Sequence, residues 1–267
     1  MPPKEARRTG LARALSKLGY CSRSQAAELI RAGRVQLNGE VRRDPEIPVR
    51  LGQHRIAVDG AAIAPQTKVY LMMNKPRGVV TTVSDEKGRE TVYAALEKAG
   101  EAQPWVAPVG RLDKASEGLL LLTNDSEWGA RIAAPETHLE KTYHVQVASL
   151  AGEKLAAAIM SGITTEDGDF LRASRARPLR TGEKNGWLEI TLDEGKNRQI
   201  RRMLAALGVE VLRLVRVAIG PVQLGTLAKG AYRRLSAEEK QALDRAMAKF
   251  GPRTSDFRPQ PINPQRQ

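Results

Sequence analysis

The stretch VGRLDKASEGLLLLTND, residues 109–125, places charged side chains directly beside a run of leucines. The apolar run Leu119–Leu122 predicts a short buried strand. The tripeptide Arg111-Leu112-Asp113 comes before it, in a segment bounded by Gly110 and Gly118. Either the two charges form an ion pair that only shapes a turn, or Asp113 is a carboxylate held at the edge of a sheet for chemistry.

The segments around this stretch predict a mixture of strands and helices. Apolar or alternating segments predict strands at VYLMM (69–73), VVTTV (79–83), GLLLLTND (118–125), KTYHVQVASL (141–150), GWLEITL (186–192) and VLRLVRVAIG (211–220). Helical patterns occupy ETVYAALEKAG (90–100), SEWGARIAA (126–134), AGEKLAAAIMSG (151–162) and NRQIRRMLAALG (197–208). Because strands and helices do not alternate regularly, we expect an α+β unit with a mixed, largely antiparallel sheet flanked by helices.

Residues 10–60 predict a smaller unit with its own helices and hairpin. A leucine stripe over residues 11–18 indicates a helix that ends at Gly19. Ser22 and Gln25 have the spacing of a capping box at the start of a second helix, which ends at Gly33. The dipeptide Asn38-Gly39 is a strong hairpin signal.

This smaller unit is rich in arginine and lysine. Residues 1–60 hold 12 Lys/Arg against 6 Asp/Glu. With its helix pair and small sheet, the segment SRSQAAELIRAGRVQLNGEV (22–41) resembles the alpha-L RNA-binding module, named after the S-four ribosomal protein. The alternative is a solvated basic face on a small helical domain. The resemblance implies RNA contacts from Arg13, Lys17, Arg23, Arg31 and Arg34.

The organisation expected along the chain has five parts. They are a basic arm (1–9), the alpha-L domain (10–60), a linker (61–68), a larger catalytic domain (69–250) and a proline-rich tail (251–267). The tail is polar and almost lacks aliphatic residues, so we expect it to be disordered.

Composition narrows the partners and the chemistry. The net charge is +13 and the pI is about 10.1, which favours a polyanion bound mainly through phosphates. Cys21 is the single cysteine and the three histidines are scattered, so we expect neither a disulfide nor a metal site. No apolar stretch of about 18 residues predicts a membrane span, and the first residues lack a signal-peptide core. We expect a monomeric, cytoplasmic protein.

Common phosphate-loop, dinucleotide and nucleophile-elbow motifs do not occur, so other charged positions must carry any chemistry. Strand alternation places Lys141 and Tyr143 on one face with Val145 and Val147. Either these polar groups enter a cleft, or the tyrosine ring lies in the core with its hydroxyl at the rim.

A third charged segment is EGKNRQIRRM, residues 194–203. Ile200, Met203, Leu204 and Leu207 form the buried stripe of its helix. At about 100° per residue, Arg198 and Arg202 then point outward. Arg201 lies on the flank, where it can pair with a carboxylate in a partly dry site.

Four ordered motifs, VGRLDKASEGLLLLTND, NKPRGVVTT, KTYHVQV and EGKNRQIRRM, together with the alpha-L segment, resemble the RsuA-type family of ribosomal RNA pseudouridine synthases. The resemblance covers about residues 10–235. It implies an enzyme that detaches uracil from its ribose, turns it and rejoins it through carbon, without metal or cofactor. Ser116 and Ser126 are mild departures from the family pattern.

The resemblance also implies roles for residues. Asp113 is the expected nucleophile, Tyr143 is expected to stack on the target base and assist proton transfer, and Arg201 is expected to pair with Asp113. The expected partner is ribosomal RNA or a ribosomal subunit assembly intermediate, with a slight preference for the large subunit. Further RNA contacts are expected from Lys75, Arg111, Lys141, Lys196, Arg198 and Arg202.

Two other functions stay open. The basic patches would also suit a non-enzymatic ribosome-assembly protein or RNA chaperone. A nucleobase hydrolase would normally need two carboxylates flanking the bond. The nearest second acid is Asp125, which has the position of a helix cap.

Overall fold

The computed structural model describes residues 8–82, 88–98 and 105–249. Its α-helices in these ranges are α1 Leu11–Lys17, α2 Arg23–Arg31, α3 Val92–Lys98, α4 Ser126–Ala133, α5 Glu153–Ser161, α6 Gln199–Ala206 and α7 Ala237–Ala248. The short strands of the amino-terminal part are β1 Thr9–Gly10, β2 Val35–Leu37, β3 Glu40–Arg42, β4 Pro48–Val49, β5 Ile56–Val58 and β6 Ala61–Ala62. The later strands are β7 Tyr70–Lys75, β8 Ala107–Pro108, β9 Glu117–Thr123, β10 Lys141–Val147, β11 Ile163–Thr164, β12 Phe170–Leu171, β13 Arg175–Thr181, β14 Gly186–Leu192, β15 Val211–Ile219, β16 Val222–Gln223 and β17 Tyr232–Arg234.

The amino-terminal elements have a hydrophobic core of their own. Helices α1 and α2 pack on the sheet β3-β2-β5-β6, and the core includes Leu15 and Ile30. The predicted capping box is confirmed, since Ser22 accepts from the Gln25 amide and Gln25 accepts from the Ser22 amide. The predicted hairpin is also confirmed, with positive φ at Asn38 and Gly39. Strand β6 adds the first two residues of the predicted linker to this sheet.

The larger sheet has the strand order β13-β14-β10-β15-β9-β7-β17, with β16 beside β15 and β8 beside β9. All of its pairings are antiparallel except that of β9 with β15. The predicted mixed, largely antiparallel sheet is therefore confirmed.

The parallel contact between β9 and β15 is short, and it creates a fork in the sheet. Only Glu117 and Gly118 of β9 pair with β15, opposite Val215 and Arg216. Beyond this point β9 continues beside β7 and β8, whereas β15 continues beside β10 and β16. The two halves of the sheet thus separate after Gly118.

Helices cover both faces of the larger sheet. Leu119 and Leu121 of β9 contact the cluster that contains α4 and α7, whereas Leu120 and Leu122 contact the cluster that contains α3. Helices α5 and α6 cover the β13-β14-β10 part through residues such as Ile159 and Met203. In the part of the chain that the structure describes, no helix is both long enough and apolar enough to cross a membrane.

Some elements differ from the sequence-based expectation. The predicted strand at residues 79–83 is wrong within the described residues, because Val80 forms only an isolated bridge with Thr91. The side chain of Thr81 instead bonds the loop of Asp113. Edge strand β13, which contains Pro178, was not predicted, nor was α7, although Ser236 and Glu239 form a capping box. Val83, Gly100 and residues 1–7 and 250–267 lie outside the described residues.

Candidate active site

A cavity of about 350 Å³ opens at the fork between β9 and β15. Its wall combines the loop before β9, the start of β10, the middle of β15 and the turn before α6. The lining residues used below are Arg111, Asp113, Lys141, Tyr143, Lys196, Arg198 and Arg216. Segments of three of the four motifs, which are far apart in sequence, therefore meet at one place.

Hydrogen bonds from the buried amine of Lys75 hold the loop that carries Asp113. This lysine has no exposed surface, and its Nζ donates to the carbonyls of Pro76 (3.2 Å), Asp113 (3.1 Å) and Ser116 (2.9 Å). Burial lowers the pKa of Lys75 to about 8, although the negative charges of Asp113 and Glu117 oppose that shift. The prediction that Lys75 contacts RNA is wrong, because a wholly buried amine cannot reach a phosphate.

Two other parts of the NKPRGVVTT motif hold the same loop. The amide of Gly78 donates to the carbonyl of Lys114 at 2.8 Å. The hydroxyl of Thr81 donates to the carbonyl of Leu112 at 2.8 Å. The backbone on each side of Asp113 is therefore fixed by hydrogen bonds, and this is the function of the motif in the structure.

Asp113 lies at the rim of the cavity, with 26% of its side chain exposed. The nearest cation is Arg198, whose Nη1 is 3.7 Å from Oδ2 of Asp113. The sequence predicted an outward direction for Arg198 from the helical repeat. Arg198 is exposed, as predicted, but it is the N-cap of α6 with φ of +48°, so its direction comes from the turn before the helix and not from the helical repeat.

Arg201 has the predicted position on the flank of α6, but it does not pair with Asp113 within 4 Å. Its Nη2 donates to the carbonyl of Ala115 (3.2 Å) and its Nη1 to that of Val211 (3.4 Å). Burial lowers the pKa of Arg201, and the nearby charge of Asp113 opposes this shift. The predicted ion pair between Arg201 and Asp113 is therefore replaced by a hydrogen bond from Arg201 to the backbone carbonyl of Ala115, two residues after Asp113.

Tyr143 and Lys141 both line the cavity, from the first residues of β10. Tyr143 also packs against two hydrophobic clusters, so its ring belongs to the core and to the cavity wall at once. Val145 and Val147 follow on the same strand and are buried, as the alternation predicted. Burial and the positive charge of Arg216 lower the pKa of Lys141.

Arg216 is a cavity residue that the sequence reasoning missed. It is 6% exposed, and its Nε donates to the carbonyl of Leu119 at 2.7 Å, across the fork. The backbone passes very close to β9 here, since a Cβ on Gly118 would lie 2.2 Å from the Arg216 carbonyl oxygen. Strand alternation carried a usable signal, because Arg216 is two residues from the buried Leu214.

The other predicted RNA-binding residues are mostly exposed, and some of them also form ion pairs. Arg13, Arg23, Arg31, Arg111 and Lys196 are exposed, and Lys196 lies 3.7 Å from Glu194. Lys17 forms an ion pair with Glu127 at 2.7 Å. Arg34 makes two bonds to the carboxylate of Asp59.

Arg202 corrects a further expectation. Its Nη2 lies 2.6 Å from a carboxylate oxygen of Asp167 and 2.7 Å from one of Asp169. These acids lie in the β11–β12 hairpin, so they are close in space although about 35 residues away in sequence. The prediction that Arg202 is a free phosphate contact is therefore wrong. Among the described residues, no cluster of three or more His, Cys, Asp or Glu residues could hold a metal ion.

Comparison with known proteins shows the family of this chain. Residues 69–206 match the family model of RNA pseudouridylate synthases, and residues 9–54 match that of the S4 domain. An uncharacterized RNA pseudouridine synthase of Aquifex aeolicus is 40% identical over 241 residues, which are 90% of this chain and 95% of that protein. Ribosomal large subunit pseudouridine synthase B of Bacillus subtilis is 34% identical over 242 residues, with coverages of 90% and 97%.

A solved crystal structure of a pseudouridylate synthase is similar in both sequence and fold. It is 32% identical, with a TM-score of 0.60, and the match covers 88% of this chain and 99% of that one. The amino-terminal match to the S4 domain agrees with the alpha-L module predicted from the sequence. The chain therefore belongs to the RNA pseudouridylate synthase family, and it is a pseudouridine synthase that acts on RNA through a catalytic domain preceded by an S4 domain.

Proposed function

We propose that this enzyme isomerises a uridine of large-subunit ribosomal RNA, with Asp113 as the nucleophile and without a cofactor. One observation carries the proposal. Among the described residues that line the cavity, Asp113 is the only acid, and several cations surround it. Positive charges close to a single carboxylate suit a nucleophile that acts on a phosphate-rich substrate.

The cavity suits a base that has left its stack. Its volume of about 350 Å³ lies within the range of sites for small ligands. A uridine inside a helix would have to be unpaired and turned outward to reach Asp113, which costs a few kcal/mol. Uridines in loops are therefore the favoured targets.

Tyr143 and Arg201 have supporting roles in the proposal. The Tyr143 ring at the cavity wall is placed to stack on the flipped base, and its hydroxyl to assist proton transfer. Arg201 binds the Ala115 carbonyl, so it holds the loop of Asp113 and adds positive charge near the carboxylate. Arg198 at 3.7 Å is the closer partner of Asp113.

The choice of RNA rests on the relatives and on charge. Two similar proteins, from Bacillus subtilis and Salmonella typhimurium, are named ribosomal large subunit pseudouridine synthase B, and each is 34% identical. The net charge of +13 suits ribosomal RNA or a subunit assembly intermediate. We propose that a monomer binds it through Arg13, Arg23, Arg31, Arg111, Lys141 and Lys196.

The nucleobase hydrolase is less well supported. That chemistry normally needs a second carboxylate near the bond. Asp125 caps α4 by accepting from the Trp128 amide, and it also accepts from the Tyr70 hydroxyl. It is not among the residues that line the cavity.

The experiment is to map carbon-linked uridines in ribosomal RNA from a strain that lacks the gene and is complemented with variants. Wild type is expected to restore one large-subunit modification, and Asp113→Asn is expected to bind RNA within a few-fold of wild type without restoring it. Asp167→Asn, which changes an exposed acid outside the cavity, is the matched control and should restore the modification. Restoration of the modification by Asp113→Asn would overturn the nucleophile. A deletion strain that lost no modification would instead favour a non-enzymatic role.

A further inference from the structure

Exposure decreases from the rim of the cavity towards the fork of the sheet. The side chain of Arg198 is 51% exposed and that of Asp113 26% exposed, whereas Arg216 is only 6% exposed. The backbone of an RNA continues past the cavity in both directions, so its phosphates stay near the rim. The part of a flipped nucleotide that reaches Arg216 is therefore the base.

The guanidinium of Arg216 has unused hydrogen-bonding capacity at this buried position. Its Nε bonds the Leu119 carbonyl, but its Nη2 is buried and has no hydrogen-bond partner among the described residues. Buried polar groups in native proteins nearly always have partners. An unpaired donor in the wall of a ligand cavity indicates that the ligand supplies the acceptor.

A positive charge at this place also affects its neighbours. Arg216 lowers the pKa of both Lys141 and Lys75, so its charge acts across the inner part of the cavity. The acid that lines the cavity, Asp113, is engaged at the rim with Arg198. The inner part is thus prepared for an acceptor that carries or develops negative charge.

We propose that Arg216 is a catalytic residue that donates to a carbonyl oxygen of the flipped uracil and stabilises the anion formed when uracil leaves the ribose. The inference rests on the proposed function. When an Asp113 oxygen bonds to C1′, the electron pair of the N1–C1′ bond passes to the uracil ring, where O2 and O4 share its charge. When C5 then bonds to C1′, the Asp113–C1′ bond breaks and its electron pair returns to the carboxylate. C5 loses a proton and N1 gains one, so the overall reaction is an isomerisation.

The test compares two leaving groups in one RNA under single-turnover conditions. The substrate is a ribosomal RNA fragment with either uridine or 5-fluorouridine at the target position, and consumption of the target nucleoside is measured. Fluorine withdraws electrons and makes the departing anion more stable. Arg216→Gln is expected to slow uridine consumption by about 10²-fold, as for loss of one donor to a developing anion. Its defect on 5-fluorouridine should be at least about tenfold smaller.

Arg213→Gln is the matched control, because Arg213 lies on the same strand, bonds Glu117 and does not line the cavity. Any effect of this variant should be equal on the two RNAs. If Arg216→Gln does not fold, Arg216→Lys gives the same comparison, with a smaller defect expected because the charge remains. Equal defects of the Arg216 variant on both RNAs would overturn the proposal and indicate a structural or phosphate-binding role. Failure of wild type to consume 5-fluorouridine would also overturn it.

The same series separates this inference from the proposed function. Asp113→Asn is assayed in parallel on the uridine RNA. Its activity would overturn the proposed function, and the Arg216 step with it. Inactive Asp113→Asn combined with equal defects of Arg216→Gln on both RNAs would overturn the Arg216 role alone.

Discussion

Replacing Lys75 with methionine tests whether a buried amine holds the active-site loop. Methionine keeps most of the side-chain length but removes the donor that bonds the carbonyls of Pro76, Asp113 and Ser116. The Asp113 carbonyl keeps a second donor, the Ser116 amide at 2.9 Å. The other two carbonyls lose this bond, at about 1–3 kcal/mol for each orphaned acceptor.

An opposing effect reduces the net loss of stability. The lowering of the Lys75 pKa from 10.5 to about 8 corresponds to a loss of about 3 kcal/mol of stability at pH 7, because the charged amine is less favourable in the folded state than in the unfolded chain. Methionine does not carry this cost. We therefore expect Lys75→Met to lower the free energy of unfolding at pH 7 by only about 1 kcal/mol, while the loosened loop slows the isomerisation much more.

The pH dependence gives the decisive measurement. Because the pKa is lower in the folded state, the unfolded chain binds more protons between about pH 8 and pH 10.5. Stability from this group therefore rises with pH, and wild type should gain about 2 kcal/mol from it between about pH 7 and pH 9.5. Urea unfolding followed by tryptophan fluorescence at both pH values measures the gain. It should disappear in Lys75→Met.

Lys68→Met is the control for this series. Lys68 is exposed and lies 3.5 Å from a single carbonyl, that of Asn124, so the change should alter stability by less than about 0.5 kcal/mol. The control should also keep the wild-type gain with pH. A gain in Lys75→Met equal to that of wild type would refute the view that Lys75 is a charged, desolvated support of the loop.

Three further predictions concern the fork of the sheet and the arginines Arg198 and Arg202. Gly118→Ala should lower the free energy of unfolding by about 3 kcal/mol or more, because the residue has φ of +100° and a Cβ would lie 2.2 Å from the Arg216 carbonyl oxygen. Urea titrations measure this loss, and a loss below about 1 kcal/mol would contradict the close approach of the two strands. Arg198→Ala should lower kcat/KM about fivefold, the effect of losing about 1 kcal/mol from a half-exposed cation 3.7 Å from Asp113. Arg202→Ala should leave kcat/KM unchanged, since Arg202 is bound to Asp167 and Asp169; equal losses in these two variants would argue against the assigned geometry.

The elements predicted correctly from the sequence are those with local signals. The capping box of Ser22 and Gln25 and the turn at Asn38-Gly39 depend on a few adjacent residues, so the pattern determines the structure. The meeting of three of the four motifs at one cavity agrees with the resemblance, but the individual sequence patterns could not give it. It came from the family resemblance, since the contacts span up to about 100 residues.

The wrong predictions share a physical reason, which is that long-range partners decide the environment of a charge. Lys75 was expected at the surface, as lysines usually are, but its amine donates to two carbonyls of a distant loop and to that of Pro76. Arg202 was expected to be free, but the β11–β12 hairpin supplies two acids. For Arg198 the exposed position was predicted correctly, but its approach to Asp113 was not, because that depends on the backbone of the turn before α6.

The pairing of β17 with β7 has a consequence for how the chain is made. Tyr232–Arg234 pairs with the outer edge of β7, Tyr70–Lys75. During synthesis, about 160 further residues must be made before this edge of an apolar strand has its partner. Until then its free amide and carbonyl groups can pair with another nascent chain. A polypeptide that stops before Tyr232 keeps that edge open, so pairing of Tyr232–Arg234 removes one site at which newly made chains can associate.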